Sequence, residues 1–133
     1  MNTFELGSET VMNTYNRFPI VLEKGDGMYV YDDNGKKYLD FVAGIAVNSL
    51  GHNHKKLTET IADQAKTLIH CSNLYYTKPQ ISLASKLVKN SDFDKVFFCN
   101  SGAEAIEAAL KVSRKYGSKT NRYEIITMKN SFH

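Results

Sequence analysis

Ser101 and Gly102 stand at the junction best suited to chemistry. They follow the short apolar run KVFFC (95–99) and Asn100, and they precede AEAIEAALKVSRKYG, whose apolar residues recur at helical spacing. A small polar turn between a buried strand and a helix is a natural anion site. The first amides of a helix have no intrahelical acceptor, the peptide dipoles leave a partial positive charge there, and a glycine lets a phosphate approach the backbone. Ser101 adds a hydroxyl. With Glu104 it also has the spacing of a capping box, and an isolated S-G-A-E is more often a capped turn than an anion site. The turn has neither the Lys-Ser/Thr of a Walker loop nor the spacing of GxGxxG, so a nucleoside triphosphate is not what it predicts.

Other candidates carry less. His52, His54, His70 and His133 show no ligand spacing among themselves or with Cys71, and no metal site is predicted. Cys71 and Cys99 lack CxxC spacing, which fits two free, packed thiols in a reducing compartment. No lysine is marked as a nucleophile: Lys111, four residues after Glu107, reads as a solvated helix pair. Taken one at a time, Phe132 after a strand reads as core, Tyr15 as a surface aromatic and Ile45 as packing.

The elements that must position these residues are legible from periodicity and turn chemistry. Residues 20–24, 28–32 and 37–41 read as three short strands of an antiparallel meander, with Gly25-Asp26-Gly27 and Asp33-Asn34-Gly35 as its turns. The segment 42–53, rich in small residues, reads as a loop that approaches something closely. Leu57, Ile61, Ala65, Leu68 and Ile69 predict an amphipathic helix over 54–69. A second helix starts near Thr77, where Thr77 and Gln80 have capping-box spacing and Pro79 suits the first turn, and it ends before Asn90. Its buried stripe is Ile81, Ala84, Leu87 and Val88. The runs 95–99 and 123–128 read as buried strands on either side of a third helix, which Gly117 should stop. Strand, helix, strand implies an α/β sheet with parallel strands. The expected division is an amino-terminal segment, 1–53, and the start of a larger domain, 54–133.

Composition narrows the function classes. The chain has 133 residues, of which 42% are hydrophobic and 23% charged, the profile of a soluble globular protein. Its 17 basic residues are scattered among 14 acidic ones, for a net charge of +3, so no nucleic-acid surface is indicated. No apolar run reaches bilayer length, and the start of the chain has no signal-peptide pattern; a cytoplasmic protein is expected.

In combination the motifs are more specific. NRFPIVLEKGDGMYVYDDNGKKYLDFVAGIAVNSLGHNH, NLYYTKPQ, FFCNSGAEAIEAALKVSRKYG and NSFH occur in an order that resembles class III aminotransferases across nearly the whole chain. The resemblance implies fold-type I, a pyridoxal 5'-phosphate cofactor and usually a homodimer. It implies that the amides of Gly102 and Ala103 hold the cofactor phosphate with help from Ser101, and that Phe132 stacks on the pyridine ring. Tyr15, Ile45 and Asn48 would face the substrate. Ornithine δ-aminotransferases carry a tyrosine where this chain has Ile45, so the expected reaction is amino transfer from acetylornithine to 2-oxoglutarate in arginine biosynthesis. Succinylornithine, ornithine and 4-aminobutyrate remain as other donors. Ile106 departs from the asparagine that often follows AEA and is expected on the buried helix face. Transamination also needs a lysine to hold the cofactor and move a proton, and an acidic partner for the pyridine nitrogen. In the resembled family both come from later in the chain, as does the substrate-binding arginine. A fragment needing the remainder of the enzyme is therefore expected, with a non-catalytic phosphate-binding or interaction module as the alternative.

Overall fold

The computed structural model describes residues 2–132; His133, the last residue of the NSFH motif, lies outside them. The chain divides into two compact units, 1–72 and 73–133.

The first unit opens with helix α1, Thr3–Thr10, which the sparse apolar pattern did not announce. Its start is chemically explicit: Asn2 accepts from the Glu5 amide and Glu5 accepts from the Asn2 amide, both at 2.8 Å, completing a capping box. The meander follows as β1 (Leu22–Asp26), β2 (Tyr29–Asp32) and β3 (Lys37–Leu39), antiparallel in the order β1-β2-β3. The first hairpin turns two residues later than expected. Asp26 pairs with Tyr29, so the turn is Gly27-Met28 with only Gly27 at positive φ (55°), and Gly25 stays in the ladder. The second turn is held by Asp32, whose Oδ1 accepts from the Asn34 and Lys36 amides and whose Oδ2 accepts from the Tyr38 hydroxyl at 2.8 Å. The Tyr38 bond, reinforced by the two amides, holds the Asp32 carboxyl below the usual carboxylate range.

Segment 42–53 makes the close approach its small residues suggested. His52 bridges antiparallel to Gly27 through two backbone bonds of 3.0 and 2.7 Å. A side chain on Gly25 would lie 2.5–2.7 Å from the His52 ring, and one on Gly51 would lie 2.9 Å from the Gly27 carbonyl oxygen. The glycines are there for contact distance. Within the loop sits α2, Ala43–Ala46, and the unit closes with α3, Lys55–Thr67, capped by the His54 ring on the Leu57 amide.

In the second unit, α4 (Lys78–Lys89) begins after Thr77 and stops at Asn90 as expected. The predicted Thr77–Gln80 capping box does not form; the Thr77 side chain makes no cap bond, and Pro79 in the first turn removes one of the donors a cap would serve. Helix α5, Gly102–Gly117, runs into a short 3-10 turn, Ser118–Thr120. Gly117 is not the left-handed stop. Its φ is −66°, and Asn121 at φ 55° reverses the chain. Gly117 is instead buried where the Arg122 amide returns to its carbonyl at 2.9 Å, and a Cβ would overlap the Arg122 carbonyl oxygen. Gly117→Ala is expected to destabilise by about 1–3 kcal/mol, exceeding the ~1 kcal/mol that alanine gains in helix propensity. A chemical denaturation curve of the full-length protein checks this, and an unshifted midpoint refutes the contact.

Three expectations are corrected by what is not packed. Runs 95–99 and 123–128 form no strand, because a parallel strand is defined by ladder bonds to a neighbour and neither run has one among the described residues. No hydrophobic residue described is buried: Ile81, Leu87 and Ile106 are 48%, 44% and 40% exposed, and Ala84, Val88 and Leu110 are only half-buried, so the helix stripes are incompletely covered. Cys99 is likewise exposed and Cys71 half-buried, rather than both being packed.

Candidate functional site

The start of α5 carries the Ser101 cap that the sequence suggested. Ser101 is extended (φ −154°, ψ 163°), which turns its Oγ back to accept from the Glu104 amide at 3.2 Å. Glu104 completes only half of a reciprocal box: its carboxylate accepts from the Asn100 amide at 2.6 Å rather than from that of Ser101. This tethers the residue before the cap. The Ala105 amide donates to the Ser101 carbonyl at 3.0 Å, the first bond of the helix proper. The two amides between, on Gly102 and Ala103, are helix-opening donors without an intrahelical acceptor. Nothing lies within 4 Å of where a Gly102 Cβ would be, so the backbone is approachable from that side. Two N–H groups, a hydroxyl and the positive end of a 16-residue helix are donors of the kind a phosphate dianion accepts from.

The other cluster lies in the first unit. α2 is wound left-handed: φ is 46° at Ala43, 64° at Gly44, 60° at Ile45 and 63° at Ala46. Glycine adopts this freely, but each L-residue loses about 1–2 kcal/mol, or roughly 3–6 kcal/mol for the three non-glycines, and β-branched Ile45 is the least suited. The turn is tied at both ends. Ile45 and Ala46 donate to the Val42 carbonyl at 2.7 and 3.2 Å, and Asn48 donates to that of Ala43 at 2.9 Å. At its entry Asp40 Oδ1 accepts from the Val42 and Ala43 amides at 3.1 and 2.8 Å, while Asp40 Oδ2 accepts from His52 Nε2 at 2.7 Å. The His52 bond first, then the Ala43 amide, lowers the Asp40 pKa.

Residues 10–133 match the model of the aminotransferase class-III family. The chain belongs to the class III aminotransferases. It is 59% identical over its whole length to the acetylornithine aminotransferase of Caldanaerobacter subterraneus subsp. tengcongensis, 34% of whose length it covers. Among solved structures it is similar to N-acetylornithine aminotransferase from Stenotrophomonas maltophilia (42% identity, TM-score 0.77, covering 90% of this chain and 31% of that one). It is also similar to ornithine δ-aminotransferase from Plasmodium falciparum (30% identity, TM-score 0.88, covering 97% and 35%). The chain thus spans about a third of the length of these relatives.

Class III aminotransferases are fold-type I enzymes that use pyridoxal phosphate. The donors at the start of α5 fit the phosphate of that group, with Ser101, Gly102 and Ala103 contiguous on one turn. Phe132 follows a turn in which Ser131 bonds the Met128 carbonyl, and its ring is fully exposed. Tyr15 is exposed, with the Arg17 guanidinium 5.7 Å from its ring centre. Ile45 is 88% exposed on the left-handed turn, and the Asn48 side chain comes within 3.7 Å of where a Gly44 Cβ would be. The predicted residues are divided between the units, Tyr15, Ile45 and Asn48 lying in the first and Ser101, Gly102, Ala103 and Phe132 in the second. Sequence reasoning missed Asp40 and weighed His52 only as a metal ligand. Their pairing spans twelve residues and depends on the bridge from His52 to Gly27, which no local pattern encodes. The glycines at 25, 27 and 51 were the available signal.

Proposed function

We propose that the protein carrying this chain transfers the amino group of acetylornithine to 2-oxoglutarate, in arginine biosynthesis, as a homodimeric pyridoxal-phosphate enzyme. The observation that carries this reading is the 59% identity to an acetylornithine aminotransferase over the whole chain. The α5 start supports it by offering the donors a phosphorylated cofactor needs. When bound, pyridoxal phosphate supplies an electron sink for the amino acid's carbanion. This chain's contribution is to orient it: the Gly102 and Ala103 amides and the Ser101 hydroxyl fix the phosphate, and Phe132 offers an apolar face to the ring. Tyr15, Ile45 and Asn48 contact the donor, and a lysine from outside these residues moves the proton.

Ornithine as donor is a second reading, favoured by the likeness to the Plasmodium falciparum enzyme. Ile45 weighs against it, since an isoleucine leaves space and apolar surface for an acyl group. Glutamate formation by the full-length polypeptide decides between them. The expected kcat/KM with acetylornithine is about tenfold or more above that with ornithine, the scale at which an apolar pocket discriminates. Turnover of ornithine without acetylornithine would overturn the proposal.

A further inference from the structure

The geometry points to Asp40 as a positioning residue for donor selection: with His52 it holds α2 in its left-handed form and so sets where Ile45 stands. The inference rests on Ile45 facing the donor.

A turn of three L-residues at positive φ unwinds unless its surroundings hold it. Asp40 contributes most directly to that hold. It stands immediately after β3, and its own amide donates to the Met28 carbonyl at 2.9 Å, so its backbone is part of the sheet. One carboxylate oxygen then accepts from the two amides that enter the turn, at Val42 and Ala43. The other accepts from His52, whose backbone is bridged to Gly27 and whose ring lies against Gly25. A single half-buried carboxylate thus ties both ends of the 41–51 loop to the meander. The Ile45 side chain, 88% exposed, takes no part in this hold; only its amide does, through the bond to the Val42 carbonyl. Its position is set by a residue that need not touch substrate.

The test uses the full-length holoenzyme, and its readout is the ratio of kcat/KM for acetylornithine to that for ornithine. Asp40→Ala removes all three side-chain bonds and is expected to narrow the ratio by about tenfold, with pyridoxal phosphate affinity unchanged. Asp40→Asn keeps an oxygen for the two amides and presents an N–H to the His52 ring; it should stay within about threefold of the parent ratio. Should Asp40→Ala fail to fold, His52→Phe removes only the imidazole bond while leaving a ring against Gly25, and a smaller narrowing is expected. An equal loss of kcat/KM with both donors, leaving the ratio where it was, overturns the inference, because a merely structural residue behaves that way. Ile45→Tyr separates the two readings. A ratio altered by Ile45→Tyr but untouched by the Asp40 and His52 variants defeats the positioning role and leaves the donor-facing role of Ile45 standing. A ratio that Ile45→Tyr does not move defeats both.

Discussion

Gly102→Pro in the full-length enzyme is expected to weaken pyridoxal phosphate binding by about 10- to 100-fold while leaving the fold intact. The substitution removes one N–H from the opening turn of α5, and a hydrogen bond to a charged group is worth about 1.5–3 kcal/mol. Few other changes separate donor from scaffold so cleanly. Gly102 is the first residue of the helix, where proline is tolerated because its amide has no intrahelical acceptor. Proline forces the residue before it into the extended region, and Ser101 is already there at φ −154° and ψ 163°. A Cβ at this position meets nothing within 4 Å. Equilibrium titration of the apoenzyme with the cofactor, alongside a thermal melt of the apo form, is the measurement. Unchanged affinity with an unchanged melt would mean that the Gly102 amide does not hold the phosphate.

The second large effect concerns the 133-residue chain by itself, which is expected to show no cooperative unfolding transition. A globular monomer of 15.0 kDa exposes about 7,000 Å², whereas this chain exposes 12729 Å². Large apolar side chains contribute to the excess: Phe41, Tyr76, Ile126 and Phe132 are each at least 90% exposed, and no described hydrophobic residue is buried. At roughly 25 cal/mol per Å² the missing burial amounts to more stabilisation than a small domain's whole net stability of about 5–15 kcal/mol. The helices would then persist only as isolated segments, and helices of 12 to 16 residues such as α3, α4 and α5 are marginal in water without packing. Circular dichroism should show partial helicity fading gradually with temperature and no near-ultraviolet signal. A sharp melt with dispersed aromatic signals from the purified chain would contradict this account.

What could be read from the residues and what could not divides by distance along the chain. Helices α3, α4 and α5 were legible because apolar spacing and end residues act within a turn or two, and the Asp33-Asn34-Gly35 hairpin because its geometry is encoded in its own residues. The opening of α5 was legible for the same reason: Asn100, Ser101 and Glu104 make their bonds within four residues of one another. The first hairpin was misjudged by two residues. Gly25 looked like a turn residue, whereas its missing side chain is needed by the His52 ring, which arrives from 27 residues downstream.

The sequence by itself determined the family, the meander, helices α3 to α5 and the Ser101-capped turn that opens α5, because each depends on local bonding or on a motif carried whole within the chain. Tertiary contact alone decided the left-handed form of α2, the pairing of Asp40 with His52 and the role of Gly117 beneath the Arg122 carbonyl. The physical reason is that L-residues at positive φ, and glycines kept for contact distance, are unfavourable or unremarkable on their own. They take on meaning only when another part of the backbone stands a few ångströms away.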